Sequence, residues 1–185
     1  MKKIILASLL SVSMLGASTA AFASGETNVN TVDNTATTKG SVTLAPGNLT
    51  LDDVTSTVEF GSLSMQDVLA GKTTAVAAKD GITAHVTDLS GSGKGWHLMA
   101  NYSGMSTSDA DAKPLGDKLS LGTTELKAGD QSIYSATPEQ VAAAKGTAIE
   151  KTTAASDVTL NVPSTATTGS YTGTINWKLV AGPAN

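Results

Sequence analysis

The chain has no cysteine and no arginine, and aromatic residues make up only 4% of its 185 positions. Without cysteine there is no disulfide framework, no thiol nucleophile and no thiol for lipid attachment. Stability must come from an apolar core. Without arginine, and with 12 lysines against 16 acids, no basic patch is available for nucleic acid or anionic lipid. Long hydrophobic runs are also scarce. The one candidate is the apolar stretch Ile4–Gly16 behind Lys2 and Lys3, closed by Ala21-Phe22-Ala23. This is the layout of a secretory signal peptide, and the stretch is too short for a mature membrane span. Cleavage after Ala23 predicts a signal peptide over 1–23, with no membrane span in the remaining chain. Taking Lys2 and Lys3 from the 12 lysines leaves ten against 16 acids, a net charge near −6. The C-terminal Leu179-Val-Ala-Gly-Pro-Ala-Asn185 carries neither an apolar span nor a sorting signal, so attachment to a surface is expected to be non-covalent.

Catalytic signatures are missing too. There is no Gly-x-Ser-x-Gly elbow and no His-Glu-x-x-His zinc motif, and the chain reads as non-enzymatic, without a cofactor. Glu59 alone among the acids stands in an apolar strand context of the kind that raises a carboxylate pKa. Asp109-Ala-Asp111 lacks the further oxygen ligands and the glycine of a calcium loop. His85 and His97, read as facing outward on two paired strands, lack the third ligand that a metal needs. Gly91-Ser-Gly-Lys-Gly95 lacks the lysine-hydroxyl pair and following helix of a phosphate loop, and reads as a hairpin connection.

What is present is alternation of period two. Residues 24–40 are polar and aperiodic, a flexible leader. From Ser41 the pattern changes: Val42 and Leu44, then Leu49-Thr-Leu51, Val58-Glu-Phe60, Ile82-Thr-Ala84-His-Val86, Leu119 with Leu121, and Val158-Thr-Leu160-Asn-Val162 all read as short strands. Leu63–Leu69 is ambiguous between a helical turn and a packed loop. Thr137-Pro-Glu-Gln140 is a capping box with proline at the first helical position, predicting one short helix that stops at Gly146. The fold class is therefore all-β, a single antiparallel sandwich or barrel-like domain over 41–185 with long loops and one short helix.

Two strands stand out. In Trp96-His-Leu98-Met-Ala-Asn-Tyr102, the residues Trp96, Leu98, Ala100 and Tyr102 share a face; in Tyr171–Val180, Tyr171, Gly173, Ile175, Trp177 and Leu179 do. They hold the only two tryptophans. One reading makes the tryptophans and leucines core between two sheets, with Trp177 mid-strand and Trp96 left with a wet ring edge beside the Gly95 loop. The other makes the tryptophans platforms for stacking sugars. A mixed reading leaves His97, Met99, Asn101, Thr174, Asn176 and Lys178 on the opposite face as polar contacts for a ligand.

The sequence Val86-Thr-Asp88-Leu-Ser-Gly91-Ser-Gly93-Lys-Gly95-Trp96-His-Leu98, with Tyr171-Thr-Gly-Thr-Ile175-Asn-Trp177-Lys-Leu179, resembles the WxL-domain family of Gram-positive surface proteins. Gly47-Asn-Leu49-Thr-Leu51 with Val58-Glu-Phe60-Gly61 is similar to the family's entry segment. Two positions depart from it: Ser90 stands where many members carry a basic residue, and Pro183 lies one position further on. The resemblance implies a non-catalytic domain that binds the bacterial cell wall through peptidoglycan, alongside companion surface proteins. On this reading Trp96, Leu98, Trp177 and Leu179 are the motif residues, structural or wall-binding. The alternative is a subunit of a surface complex held by other proteins instead of glycan.

Overall fold

Asp88 ends one strand by turning its carboxylate on the loop that follows, where it accepts bonds from the Ser90 N–H at 2.9 Å and the Ser90 hydroxyl at 2.6 Å. Glycines 91, 93 and 95 then take positive φ, and the chain leaves one sheet for another. A computed structural model describes residues 28–30, 35–37, 40–72, 75–107 and 114–182. The predicted signal peptide, the Asp109/Asp111 pair and Pro183 lie outside them.

The chain divides into two units, 1–44 and 45–185. In the first, β1 (Asn28–Asn30) pairs antiparallel with β2 (Thr35–Thr37), inside the stretch expected to be an aperiodic leader. Val42 and Leu44 are not a strand: they are 84% and 88% exposed. Alternation alone does not make a strand where no neighbour supplies hydrogen bonds.

The second unit is mostly β, with ten strands in three antiparallel sheets. These are β3 (Leu49–Val54), β4 (Val76–Ala77), β5 (Ile82–Asp88), β6 (Trp96–Tyr102), β7 (Lys118–Leu121), β8 (Thr124–Glu125), β9 (Gln131–Ala136), β10 (Ile149–Thr153), β11 (Val158–Asn161) and β12 (Ile175–Ala181). The orders are β10-β5-β3, β12-β6-β9 and β4-β11-β7-β8. The helices are short, α1 (Met65–Leu69) and α2 (Pro138–Ala144), with a 3-10 turn at Ala155–Asp157. The box expected at α2 forms as written, Gln140 N to Thr137 Oγ1 and Thr137 N to Gln140 Oε1. Its C-cap is Lys145 in the left-handed region, one residue before the glycine expected to stop the helix.

Two features differ from the sequence expectation. The strands β5 and β6 do not form a hairpin; β5 lies between β10 and β3, and β6 between β12 and β9. Period-two patterning fixes which face of a strand is buried and says nothing of which strand lies beside it. The Tyr171 strand also starts late, at Ile175. Tyr171–Thr174 joins the neighbouring chain by a bridge between Thr172 and Ser106 instead of the β12 ladder, and Gly173 lies where a Cβ would come within 2.9 Å of the Tyr102 ring.

Two apolar clusters tie the sheets together. Ala84 and Val86 of β5 meet Trp96 and Leu98 of β6 and Tyr134 and Ala136 of β9, so the first two sheets face each other as a sandwich. A second cluster joins Leu119, Leu121, Val158 and Leu160 of the four-stranded sheet to Ile82, Ala100 and Tyr102 at the far ends of β5 and β6. Among the described residues, no helix is long and apolar enough to cross a membrane.

Candidate functional site

The two Trp-x-Leu motifs are brought side by side. In the ladder between β6 and β12, Leu98 stands opposite Leu179, Trp96 opposite Ala181 and Ala100 opposite Trp177. Each motif is thus a Trp-x-Leu-x-Ala, and the antiparallel pairing relates the two by a local twofold through the leucine pair. The alanines were legible in the sequence but had no meaning until the register was known. An alanine opposite each indole leaves space on the pleat for the larger ring.

The symmetry stops at the layer above. Trp96 and Leu98 are both 0% exposed, because β6 is the central strand of its sheet. Trp177 and Leu179 are half-buried, because β12 is the outermost described strand of that sheet. The sequence expectation is therefore reversed: Trp96, not Trp177, is the fully buried indole, and Trp177 is only partly core. The ring of Trp177 stacks on Tyr134, centroids 6.1 Å apart and planes within 2° of parallel. The Tyr134 hydroxyl bonds across the sandwich to Thr153 Oγ1 at 2.6 Å and the Ile82 carbonyl at 3.3 Å. Tyr134, on β9, is a residue that sequence reasoning missed. The buried Trp96 Nε1 has no hydrogen-bond partner among the described residues.

On the outer face, three of the six expected contacts, Asn101, Asn176 and Lys178, join one network. Asn176 Nδ2 donates to Asn101 Oδ1 at 3.0 Å, Asn101 Nδ2 to Asp130 Oδ1 at 2.7 Å, and Lys178 Nζ to Asp130 Oδ2 at 3.3 Å. Asp130, in the turn before β9, is the hub. The Asn101 amide and then the Lys178 ammonium hold its carboxyl below the usual range. Another of them, His97, donates from Nδ1 to the Gly182 carbonyl at 3.0 Å and anchors the end of β12.

His85 and His97 do not share a site: they lie in different sheets, and among the described residues no group of three His, Asp or Glu can hold a metal. His85, at the centre of its sheet, instead bridges its neighbours, with Nδ1 2.6 Å from Asp53 of β3 and Nε2 3.2 Å from Glu150 of β10. The Asp53 bond, then the Glu150 bond, raise its pKa above the ordinary 6.5. A pKa raised on folding gives stability that is complete below the unfolded value of about 6.5 and is lost as pH rises through the folded value. The melting temperature is thus expected to fall as pH passes upward through the neutral range, and His85→Gln to flatten that slope. Melting curves from pH 5.5 to 8.5 on both proteins check this. The expectation for Glu59 is overturned: it is exposed and paired with Lys79 at 2.7 Å, and that hydrogen bond lowers its pKa.

A concavity lies at another part of the domain. A cleft of about 800 Å³ opens between residues 58–65 and 166–171, over Val68, Leu160 and Val162. The Tyr171 hydroxyl donates to the Thr167 carbonyl at 3.0 Å and lies 3.0 Å from Thr167 Oγ1, which pins the loop forming one wall. At the back, Tyr102 donates to an Asp117 carboxylate oxygen, whose partner oxygen accepts the Met105 N–H at 2.9 Å.

No family model, no curated protein and no solved structure matches this chain. The reading of its function therefore rests on its own residues.

Proposed function

We propose that this chain is an exported, non-catalytic WxL-type domain that attaches without a covalent bond to the Gram-positive cell wall by binding peptidoglycan. The observation that carries the reading is the pairing of the two motifs: residues far apart in sequence become one twofold unit with Leu98 on Leu179. A resemblance built on two separate short motifs gains weight when both take part in a single structural unit. The basic start and apolar run at residues 2–16 support export. Incubation of the folded mature protein with purified insoluble peptidoglycan tests the proposal. Sedimentation with the wall material is the expected result, and protein left wholly in the supernatant rejects it.

A second reading has its own support. The strand β12 presents Trp177 and Leu179 half-exposed, while the neighbouring Asn101 and Lys178 are engaged with Asp130, and Asn176 with Asn101. A strand of this kind can receive a companion surface protein. On that reading, cells lacking the companions lose this protein from their surface fraction. Unchanged retention argues for glycan.

A further inference from the structure

We infer that the cleft between residues 58–65 and 166–171 is a binding site for a neutral N-acetylated glycan segment, distinct from the Trp-x-Leu unit. The inference rests on the wall-binding reading for the source of that glycan, and it locates the contact away from the tryptophans. Its volume of about 800 Å³ lies within the range of roughly 300–1,000 Å³ usual for small-ligand sites. The floor is apolar, with Val68, Leu160 and Val162 all buried, and the half-buried Phe60 and Tyr171 stand in the walls. Faces of pyranose rings and acetyl methyl groups pack on such surfaces. At the mouth stand Ser62, Thr168 and Ser170, all exposed, whose hydroxyls bond no other described residue. Each can give and take hydrogen bonds with sugar hydroxyls and amides.

Charge decides among the wall's components. Among the described residues lining the cleft, the one charged is Glu59, paired with Lys79 at 2.7 Å. No cation among the described lining residues is left to receive a carboxylate or a phosphate, so a carboxylate-bearing stem peptide or an anionic polymer would lose hydration there without compensation from them. An uncharged saccharide loses little. The walls are also set in advance, by the Tyr171–Thr167 bonds and by the Lys79 N–H on the Glu59 carbonyl at 2.8 Å. Binding therefore carries a small ordering cost.

The test uses the mature full chain, labelled for amide NMR, with two soluble probes: an N-acetylglucosamine tetramer and a synthetic stem pentapeptide. The tetramer is expected to shift amides of residues 58–63 and 167–171, and the pentapeptide to leave them in place. Thr168→Trp at the exposed mouth, and Ser62→Tyr from the opposite wall, should abolish those shifts with the melting temperature unchanged. Tetramer that moves no cleft amide at millimolar concentration, binding unaffected in both variants, or cleft shifts from the pentapeptide alone would each overturn the site. Sedimentation with insoluble peptidoglycan separates the two claims. Wild type that sediments while the tetramer leaves the cleft untouched keeps the wall reading and discards this site. Tetramer binding in the cleft without sedimentation does the reverse.

Discussion

Trp96→Ala is expected to lower the unfolding free energy by about 3–5 kcal/mol, the usual range for a buried aromatic cut to alanine. Trp177→Ala is expected to cost distinctly less. Trp96 is wholly enclosed between β6's two neighbours and the facing β5, so its removal leaves a void that rigid sheet backbones cannot close. Trp177 is only partly buried, against both apolar clusters, so its loss forfeits a smaller burial together with the stacking on Tyr134, worth about 0.5–1.5 kcal/mol beyond burial. Trp96→Phe should retain most of the stability, since it deletes an N–H that bonds nothing among the described residues. Chemical denaturation of the three variants measures the differences. Iodide quenching gives an independent check: Trp177→Phe should leave one blue-shifted, protected emitter, and Trp96→Phe one accessible emitter. Equal losses for the two alanine variants would mean that β12 is as enclosed as β6.

Gly95→Ala is expected to cost about 3 kcal/mol or more, from a strained conformation together with a backbone clash. Gly95 has φ +72°, and a Cβ there would overlap the Ala136 carbonyl oxygen and press on Pro138 N at 3.2 Å. The obstacles are main-chain atoms at the junction of β9 and α2, so no side chain can rotate away. Gly93, two residues earlier, provides the control. Its φ is +63°, but a Cβ added there would meet nothing within 4 Å, so Gly93→Ala should cost only the left-handed penalty of about 1–2 kcal/mol. A matching loss in both would show that the close approach of β6 to Ala136 contributes nothing. The glycine before the first motif therefore has a steric role: it lets the chain enter the sandwich directly beneath the start of α2.

The strands were largely legible. In β5 and β6 the alternation of Ile82, Ala84 and Val86 and of Trp96, Leu98, Ala100 and Tyr102 is the buried face residue for residue, since the pleat enforces period two. The capping box at Thr137 was equally plain, as its reciprocal bonds depend on residues three apart. Where the reading misplaced structure, the deciding contact was non-local. Val42 and Leu44 alternate but have no described strand beside them. Tyr171 and Gly173 continue the pattern of β12, yet the Ser106–Thr172 bridge and the Tyr102 ring direct that stretch out of the ladder.

The candidate sites divide along the same line. The sequence by itself determined that two Trp-x-Leu strands exist, that their polar residues share the opposite face, and that neither cysteine nor arginine takes part. Only the tertiary structure decided that these strands are neighbours, that Leu98 meets Leu179, that Asp130 gathers Asn101 and Lys178, and that a cleft forms between residues 58–65 and 166–171. It also decided which tryptophan is enclosed, and the reason is strand order. A central strand is covered on both flanks and an outer strand on one, and no pattern within a strand records its place in the sheet.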